Sequence, residues 1–326
     1  MPLAVSGRSR RAVVLTAPYE ARPFGVRSAM PLYRALELCP QLTVVPPNFT
    51  AYRETSARVF AIFGDGGRAV EGLSLDEAFV DPSTTGEAAS LDDAVACAHS
   101  VRERVRGEIG LTVSAGVASG KMVAKIASDA RKPDGLTIVG PGTEAAFLAP
   151  MPVGRLWGIG PKTQPRLEAA GLRTIGDVAS LDDARLFALF GRSGTFYREL
   201  ARGIDDRTVD TSRERKSIST EETFEYDERD ERRILALLRA QADELAGDLQ
   251  RAQLRGATVG VKVKRADHTV TGRQTSLAVA TNDADAIHDA AVWCWQRAGM
   301  SGVPIRLLGT RVASLTEEPA RELRLF

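Results

Sequence analysis

The chain has 326 residues, 44% of them hydrophobic, enough to bury a sizeable core and to divide into two or more domains. Its 43 basic residues nearly balance 42 acidic ones, so any nucleic-acid surface has to be a local patch and not the whole body. Three scattered cysteines without CxxC spacing and three dispersed histidines point to a reducing cytoplasm, with neither a disulfide framework nor a zinc site. No apolar run approaches the roughly 18–20 residues of a membrane span, and the opening "MPLAVSGRSR" is too short and polar for a secretion signal. Strand-like "PLAVSG" and "RAVVLTA" come first, and Met30, Tyr33, Leu36 and Leu38 then suggest a short helix ending before Pro40. "QLTVVPP" reads as a strand and residues 50–64 as a helix. "GLSLDEAFVD" follows as extended structure, with Leu73, Leu75, Ala78, Phe79 and Val80 expected to be buried around Asp76 and Glu77. A helix over about 90–108, strand "LTVSAGVASG", a helix over 119–130 and strand "GLTIV" complete an α+β, palm-like layer.

Residues 151–212 change character, with strands giving way to short helices broken by glycine. From about 213 the β signal returns in "KSISTEETFEY". A long helix over 229–252 carries Ile234, Leu238, Leu245 and Leu249 on one face. Strands "ATVGVKVKR" and "HTVTGRQTSLA", a helix near 283–299 and strand "IRLLGTRVASL" finish a β-α-β-β-α-β unit.

Buried carboxylates are costly unless compensated. Two of them at a strand turn suit Mg²⁺, which prefers hard oxygen ligands and is usually shared with substrate phosphates. An ordinary hairpin turn with solvated acids is the other reading of Asp76–Glu77. Arginine is the default cation here, 36 against seven lysines, so Lys121, Lys125, Lys132, Lys162, Lys216, Lys262 and Lys264 read either as sites where a compact ammonium is wanted or as chance, which their clustering in two segments opposes.

"SLDEAFVD" resembles the signature of Y-family DNA polymerases, the translesion enzymes, and specifically the bacterial DNA polymerase IV group. The likeness extends through "TAPYEARPFGVRSAMP", "VSAGVASGKMVAKIASDARKPDGLTIV", "LWGIGPKTQPRLEAAGLRTIGDVA" and "KSISTEETF", in family order over essentially the whole chain. The resemblance implies an α+β, multidomain right-hand polymerase. Fingers with a remnant of the N-terminal palm would occupy residues 1–46, the palm 47–150, a helical thumb 151–212, and a linker with a βαββαβ little finger 213–316. It also implies two Mg²⁺ ions at Asp76 and Glu77, which would lower the pKa of a primer 3′-hydroxyl and stabilise leaving pyrophosphate. Thr16, Tyr19, Arg22 and Lys132 would contact the triphosphate of a deoxynucleotide; without the family these four read as surface residues.

"LWGIGPKTQPRLEAAGL" matches a helix-hairpin-helix. Gly158 and Gly160 would permit a tight hairpin whose N–H groups face a DNA phosphate, with Lys162 adding charge. A plain glycine-rich connector is the alternative. Pro165 departs from the pattern and predicts a second helix that starts late or bends. Lys262 and Lys264 alternate along one strand, with Arg273 on the next and Arg213, Arg215 and Lys216 at the entrance. They read either as a basic sheet along a primer–template backbone or as a solvated sheet face. At residues 317–326, "ELRLF" resembles a sliding-clamp peptide anchored by Leu323, Leu325 and Phe326, although so short a tail also arises by chance.

The family begins with a strand carrying a further metal-binding aspartate, followed by an aromatic steric gate. This sequence opens inside the next strand, with Glu20 as its first acid. The expectation is a monomeric, cytoplasmic, error-prone polymerase whose chain as given polymerises weakly or not at all. A non-catalytic DNA- and clamp-binding scaffold is the alternative, which would have no need of Asp76, Glu77, Tyr19, Arg22 and Lys132 together. A palm-type nucleotide cyclase is opposed by the helix-hairpin-helix and the basic C-terminal domain.

Overall fold

The computed structural model describes residues 1–86, 88–212 and 214–317. The chain divides into two compact units, one of Met1–Pro47 with Glu214–Phe326 and the other of Asn48–Arg213.

The first unit begins with β1 (Leu3–Ser6), β2 (Val14–Thr16), α1 (Leu32–Leu38) and β3 (Thr43–Val45). The strands form a sheet in the order β2-β1-β3, antiparallel on one side of β1 and parallel on the other. Its core is built from small side chains, Ala4, Val14, Ala17, Ala21, Val26 and Ala35 among them, so the layer is thin. Helix α1 stops at Leu38, where Pro40 forbids continuation, as the spacing predicts.

The second unit opens with α2 (Phe49–Phe63), whose N-cap Asn48 accepts a hydrogen bond from the Ala51 N–H at 3.1 Å. A hairpin of β4 (Ala69–Gly72) and β5 (Ala78–Asp81) follows, then α3 (Leu91–Arg104), started by a Ser90–Asp93 capping box. The expected helix to 108 loosens into a π turn over Val105–Ile109. Next come β6 (Ala115–Val117), α4 (Lys121–Ala130) and β7 (Leu136–Ile138). β6 and β7 pair in parallel, and among the described residues no strand joins them to the β4–β5 hairpin. The strands described so far thus form three small sheets, one in the first unit and two in the second.

Gly116 sets the spacing between β6 and α4. A Cβ there would stand 2.0 Å from the Ala124 carbonyl oxygen and 2.5 Å from the Ser128 nitrogen, so only glycine permits this approach. The short helices α5 (Glu144–Leu148), α6 (Gln164–Ala169), α7 (Ile175–Ala179), α8 (Asp183–Phe190) and α9 (Gly194–Ala201) then pack on α4. Met122, Val123 and Ile126 of α4 share one core with Leu148, Val153, Leu167, Ile175 and Leu186, so packing is continuous across residue 150. The segment after α9 is pinned to the same core. Asp205, with a side chain only 1% exposed, accepts the Met122 N–H at 2.9 Å and binds Arg207 at 2.6 and 2.9 Å. The Arg207 guanidinium lies over the Trp157 and Phe196 rings.

The rest of the first unit is β8 (Ser217–Glu228), α10 (Glu231–Arg251), β9 (Leu254–Arg265), β10 (Val270–Thr281), α11 (Ala284–Ala298) and β11 (Ile305–Glu317). This is the β-α-β-β-α-β order read from the sequence, closed as an antiparallel sheet in the order β10-β9-β11-β8. Ile234, Leu238, Leu245 and Leu249 of α10 are fully buried against Val259, Val261 and Val263 of β9. The N-terminal layer contacts this domain directly: Arg11 pairs with Asp227 at 2.7 Å, and the Arg10 guanidinium sits 5.1 Å from the centre of the Tyr226 ring. Both contacts lie within the first unit.

Candidate functional site

Asp76 and Glu77 lie in the loop joining β4 to β5, and that loop is tied down locally. The Leu73 N–H donates to the Glu77 carbonyl at 2.9 Å, and the Ser56 hydroxyl of α2 donates to the Leu75 carbonyl at 2.6 Å. Of the residues expected to be buried around the pair, Phe79 is buried and Leu73, Ala78 and Val80 are half-buried, but Leu75 is not. Leu75 is 44% exposed and Asp76 is exposed, because a hairpin loop turns both outward where a continuous strand would have alternated them. Ser74 donates to Asp76 Oδ1 at 2.6 Å. Glu77 is answered by Lys125, whose Nζ donates to both carboxylate oxygens at 2.9 Å. What compensates these charges in the structure is thus solvent, a hydroxyl and an ammonium.

In the sequence Lys125 is only one of the rare lysines, although its spacing carries a signal. Lys121 and Lys125 are four apart on α4 and share a face. Lys125 meets Glu77, while Lys121 meets Glu71 of β4 and donates to the Thr208 carbonyl at 2.9 Å. The Lys121–Glu71 pair is largely sequestered, with 11% and 14% of the side chains exposed. Burial pushes the Glu71 carboxyl up, but the Asp210 N–H and Lys121 outweigh it, and the net shift is downward.

Lys132 follows the end of α4, bonded to Asp129 at 2.6 Å, and Asp129 also reaches Arg155 at 3.4 Å. In the first unit, Thr16 ends β2 and is exposed. Tyr19 is 43% exposed, and the Arg22 guanidinium stacks on it with its carbon 4.2 Å from the ring centre. Arg22, an exposed residue, donates from Nε to the Ala17 carbonyl at 3.1 Å, which fixes its head. The structure brings Thr16, Tyr19 and Arg22 onto one short stretch of the first unit, and Asp76, Glu77 and Lys132 belong to the second.

The hairpin at residues 158–163 has Gly158 at φ +92, where a Cβ would come within 2.7 Å of the Tyr197 hydroxyl. Gly160 borders open space, and its carbonyl accepts the Thr163 and Gln164 N–H groups at 2.9 and 3.0 Å. Lys162 is exposed at the tip. Pro165 does not bend α6. The helix begins at Gln164, placing proline in the first turn, where its missing N–H is no loss.

Arg215 and Lys216 are exposed just ahead of β8. On the sheet, Val259, Val261 and Val263 face the helices, so Lys262 and Lys264 share the open face. Arg273 does not join them. It pairs in register with Val261 on the helix side, and its Nε donates to the Arg297 carbonyl of α11 at 3.2 Å. The position on the adjacent strand was correct, but the pleat turns the side chain away. Arg311 of β11, exposed opposite Gly260, supplies the open-face cation that sequence reasoning missed. Arg213, Leu323, Leu325 and Phe326 lie outside the described residues.

Among the described residues, no group of three or more His, Cys, Asp or Glu side chains is gathered closely enough to hold a metal ion, and no helix is long and apolar enough to cross a membrane. Exposed carboxylates at one turn offer the hard oxygens that Mg²⁺ takes together with substrate phosphates. Asp76 and Glu77 therefore fit one such ion; a second ion is beyond what these two carboxylates alone provide.

Residues 1–129 match the impB/mucB/samB family, residues 215–325 its C-terminal domain, and residues 141–172 the IMS family HHH motif. The chain is 43% identical over 309 residues to the DNA polymerase IV of Methanoculleus marisnigri, covering 95% of this chain and 85% of that protein. It is 41% identical to the DNA polymerase IV of Alkalilimnicola ehrlichii, covering 100% of this chain and 92% of that protein. Among solved structures, a Y-family DNA polymerase chimera of Dbh and Dpo4 superposes with a TM-score of 0.86 at 24% identity, over 97% of this chain and 92% of that one. An insertion ternary complex of Dbh DNA polymerase gives 0.67 at the same identity, over 96% and 91%. At that identity the likeness is one of fold.

Proposed function

The chain belongs to the Y-family DNA polymerases, in the DNA polymerase IV group of DNA-directed enzymes, and from that membership we propose that it performs template-directed, error-prone nucleotidyl transfer centred on Asp76 and Glu77. The observation that carries this reading is the pair of adjacent carboxylates held in one loop of the β4–β5 hairpin, Asp76 by Ser74 and Glu77 by Lys125. Asp76 and Glu77 would hold Mg²⁺ shared with the nucleotide phosphates, and bound there it would activate the 3′-hydroxyl and stabilise the leaving group. Lys125 orients Glu77 and offsets its charge. Tyr19 and Arg22, already stacked, are a pre-ordered donor pair for phosphate oxygens, with Thr16 adding a hydroxyl. Lys132 is a further phosphate donor that has to exchange Asp129 for its substrate.

The hairpin around Gly158 and Gly160 and the open sheet face bearing Lys262 and Lys264 are read as sequence-blind DNA backbone contacts, supported by their charge and by the family. The C-terminal tail is proposed to hold a sliding clamp through Leu323, Leu325 and Phe326, on sequence grounds. Extension of a primer past an abasic site in Mg²⁺, one deoxynucleotide at a time, tests the reading. Insertion opposite the lesion supports it, and DNA binding without any insertion on damaged or undamaged template overturns it.

A further inference from the structure

The open face of the C-terminal sheet carries an acid where a DNA-facing surface should be wholly basic. Gly272, Lys262, Gly309 and Glu221 stand in one register row across β10, β9, β11 and β8. Lys262 reaches over β11 to place its Nζ 2.9 Å from both oxygens of Glu221. The reach depends on the residue between them. A Cβ on Gly309 would lie 2.5 Å from Glu221 Cγ and 3.2 Å from its Cβ, so any larger residue would push the Glu221 stem off the sheet. The pair is open to solvent, with Lys262 45% and Glu221 38% exposed, and is within reach of an incoming phosphate.

We propose that Glu221 is a built-in mask of the DNA-binding face, which occupies Lys262 in the free protein and has to be displaced by a backbone phosphate before that lysine contributes to binding. The inference rests on the reading of this face as a DNA contact surface. A phosphodiester and a carboxylate ask the same thing of an ammonium, so exchanging one for the other yields little net affinity. Exposed ion pairs are weak, so the mask yields readily and lowers affinity without blocking it. A polymerase that has to step along and leave its template gains from contacts of this exchangeable kind.

The test is anisotropy of a labelled primer–template duplex over a KCl series, on the full chain. Glu221→Gln is expected to tighten binding about two- to fivefold near 0.1 M salt, the range of an exposed ion pair. The slope of log K against log salt should change by less than the roughly 0.9 of one phosphate contact, because Lys262 reaches a phosphate in both proteins once the mask yields. Combined with Lys262→Ala, the same change is expected to have no effect. Glu222→Gln removes an equal charge from the adjacent residue, which points to the other face of β8, and serves as the control for net charge. The proposal is overturned if Glu221→Gln leaves affinity unaltered, or tightens binding equally when Lys262 is absent. If instead Lys264→Ala and Arg311→Ala leave affinity unchanged, the reading of the sheet as a DNA face fails, and the mask with it.

Discussion

Lys125 Nζ stands 2.9 Å from each carboxylate oxygen of Glu77, across the gap between α4 and the β4–β5 loop. Both side chains are partly exposed, 32% and 43%, so the pair contributes no more than about 1 kcal/mol to stability. Its role is to aim the carboxylate. Lys125→Ala is expected to lower the melting temperature by no more than about 4 °C. Single-nucleotide incorporation should slow by about ten- to a hundredfold, the cost of a misplaced reacting group. An unchanged rate would remove Lys125 from the site.

Gly116 has the opposite balance, with structure at stake and no chemistry of its own. A methyl group 2.0 Å from the Ala124 carbonyl forces β6 away from α4, the helix that carries Lys121 and Lys125. Gly116→Ala is expected to cost about 3 kcal/mol or more in urea unfolding, at the upper end of overpacking penalties. A loss under about 1 kcal/mol would mean that α4 can shift freely.

Asp205 makes the second unit sensitive to acid. Burial pushes its carboxyl up, but the Arg207 guanidinium and the Met122 N–H outweigh this and hold it below its ordinary 3.8. A carboxyl with a depressed folded value adds stability that is fully present above about pH 4 and is lost as pH falls through that folded value. Urea unfolding from pH 7 down to 3 is expected to show this loss in the native protein. Asp205→Asn should flatten it and cost about 2 kcal/mol at pH 7, where Arg207 is left without its partner. Equal pH dependence in the two proteins would rule Asp205 out as its source.

The face assignments of the C-terminal sheet separate two arginine and lysine positions that look alike in sequence. Lys264→Ala is expected to reduce the salt slope of duplex binding by about 0.9. Arg273→Ala should leave the slope unaltered and lower stability instead, because its guanidinium is spent on the Arg297 carbonyl. A slope change at Arg273 would place it on the DNA side.

Much of the architecture was legible in the sequence, because helix periodicity and β-branched runs are local signals. The α10 face and the β-α-β-β-α-β order came directly from them. What stayed hidden were relationships between distant segments. Nothing near Asp205 announces that it caps Met122, and the pairing of Arg11 with Asp227 spans 216 residues. The strand turn at Asp76 and Glu77 was legible, but Leu75 was misplaced because an apolar run reads as buried, whereas hairpin backbone bonds turn its middle into an outward loop. Arg273 was misplaced because spacing along one strand does not fix which residue lies opposite it on the next. Pro165 was harmless because the helix starts one residue before it.

The claim on which the account depends is that Asp76 carries the chemistry. The direct measurement is the rate of single-nucleotide addition to a primer–template in Mg²⁺, for the native protein and for Asp76→Ala, with duplex affinity recorded for both. Template-directed addition by the native protein is expected, abolished by the substitution at unchanged duplex affinity. Addition that persists in Asp76→Ala, or a native protein that binds the duplex and adds nothing, would contradict it.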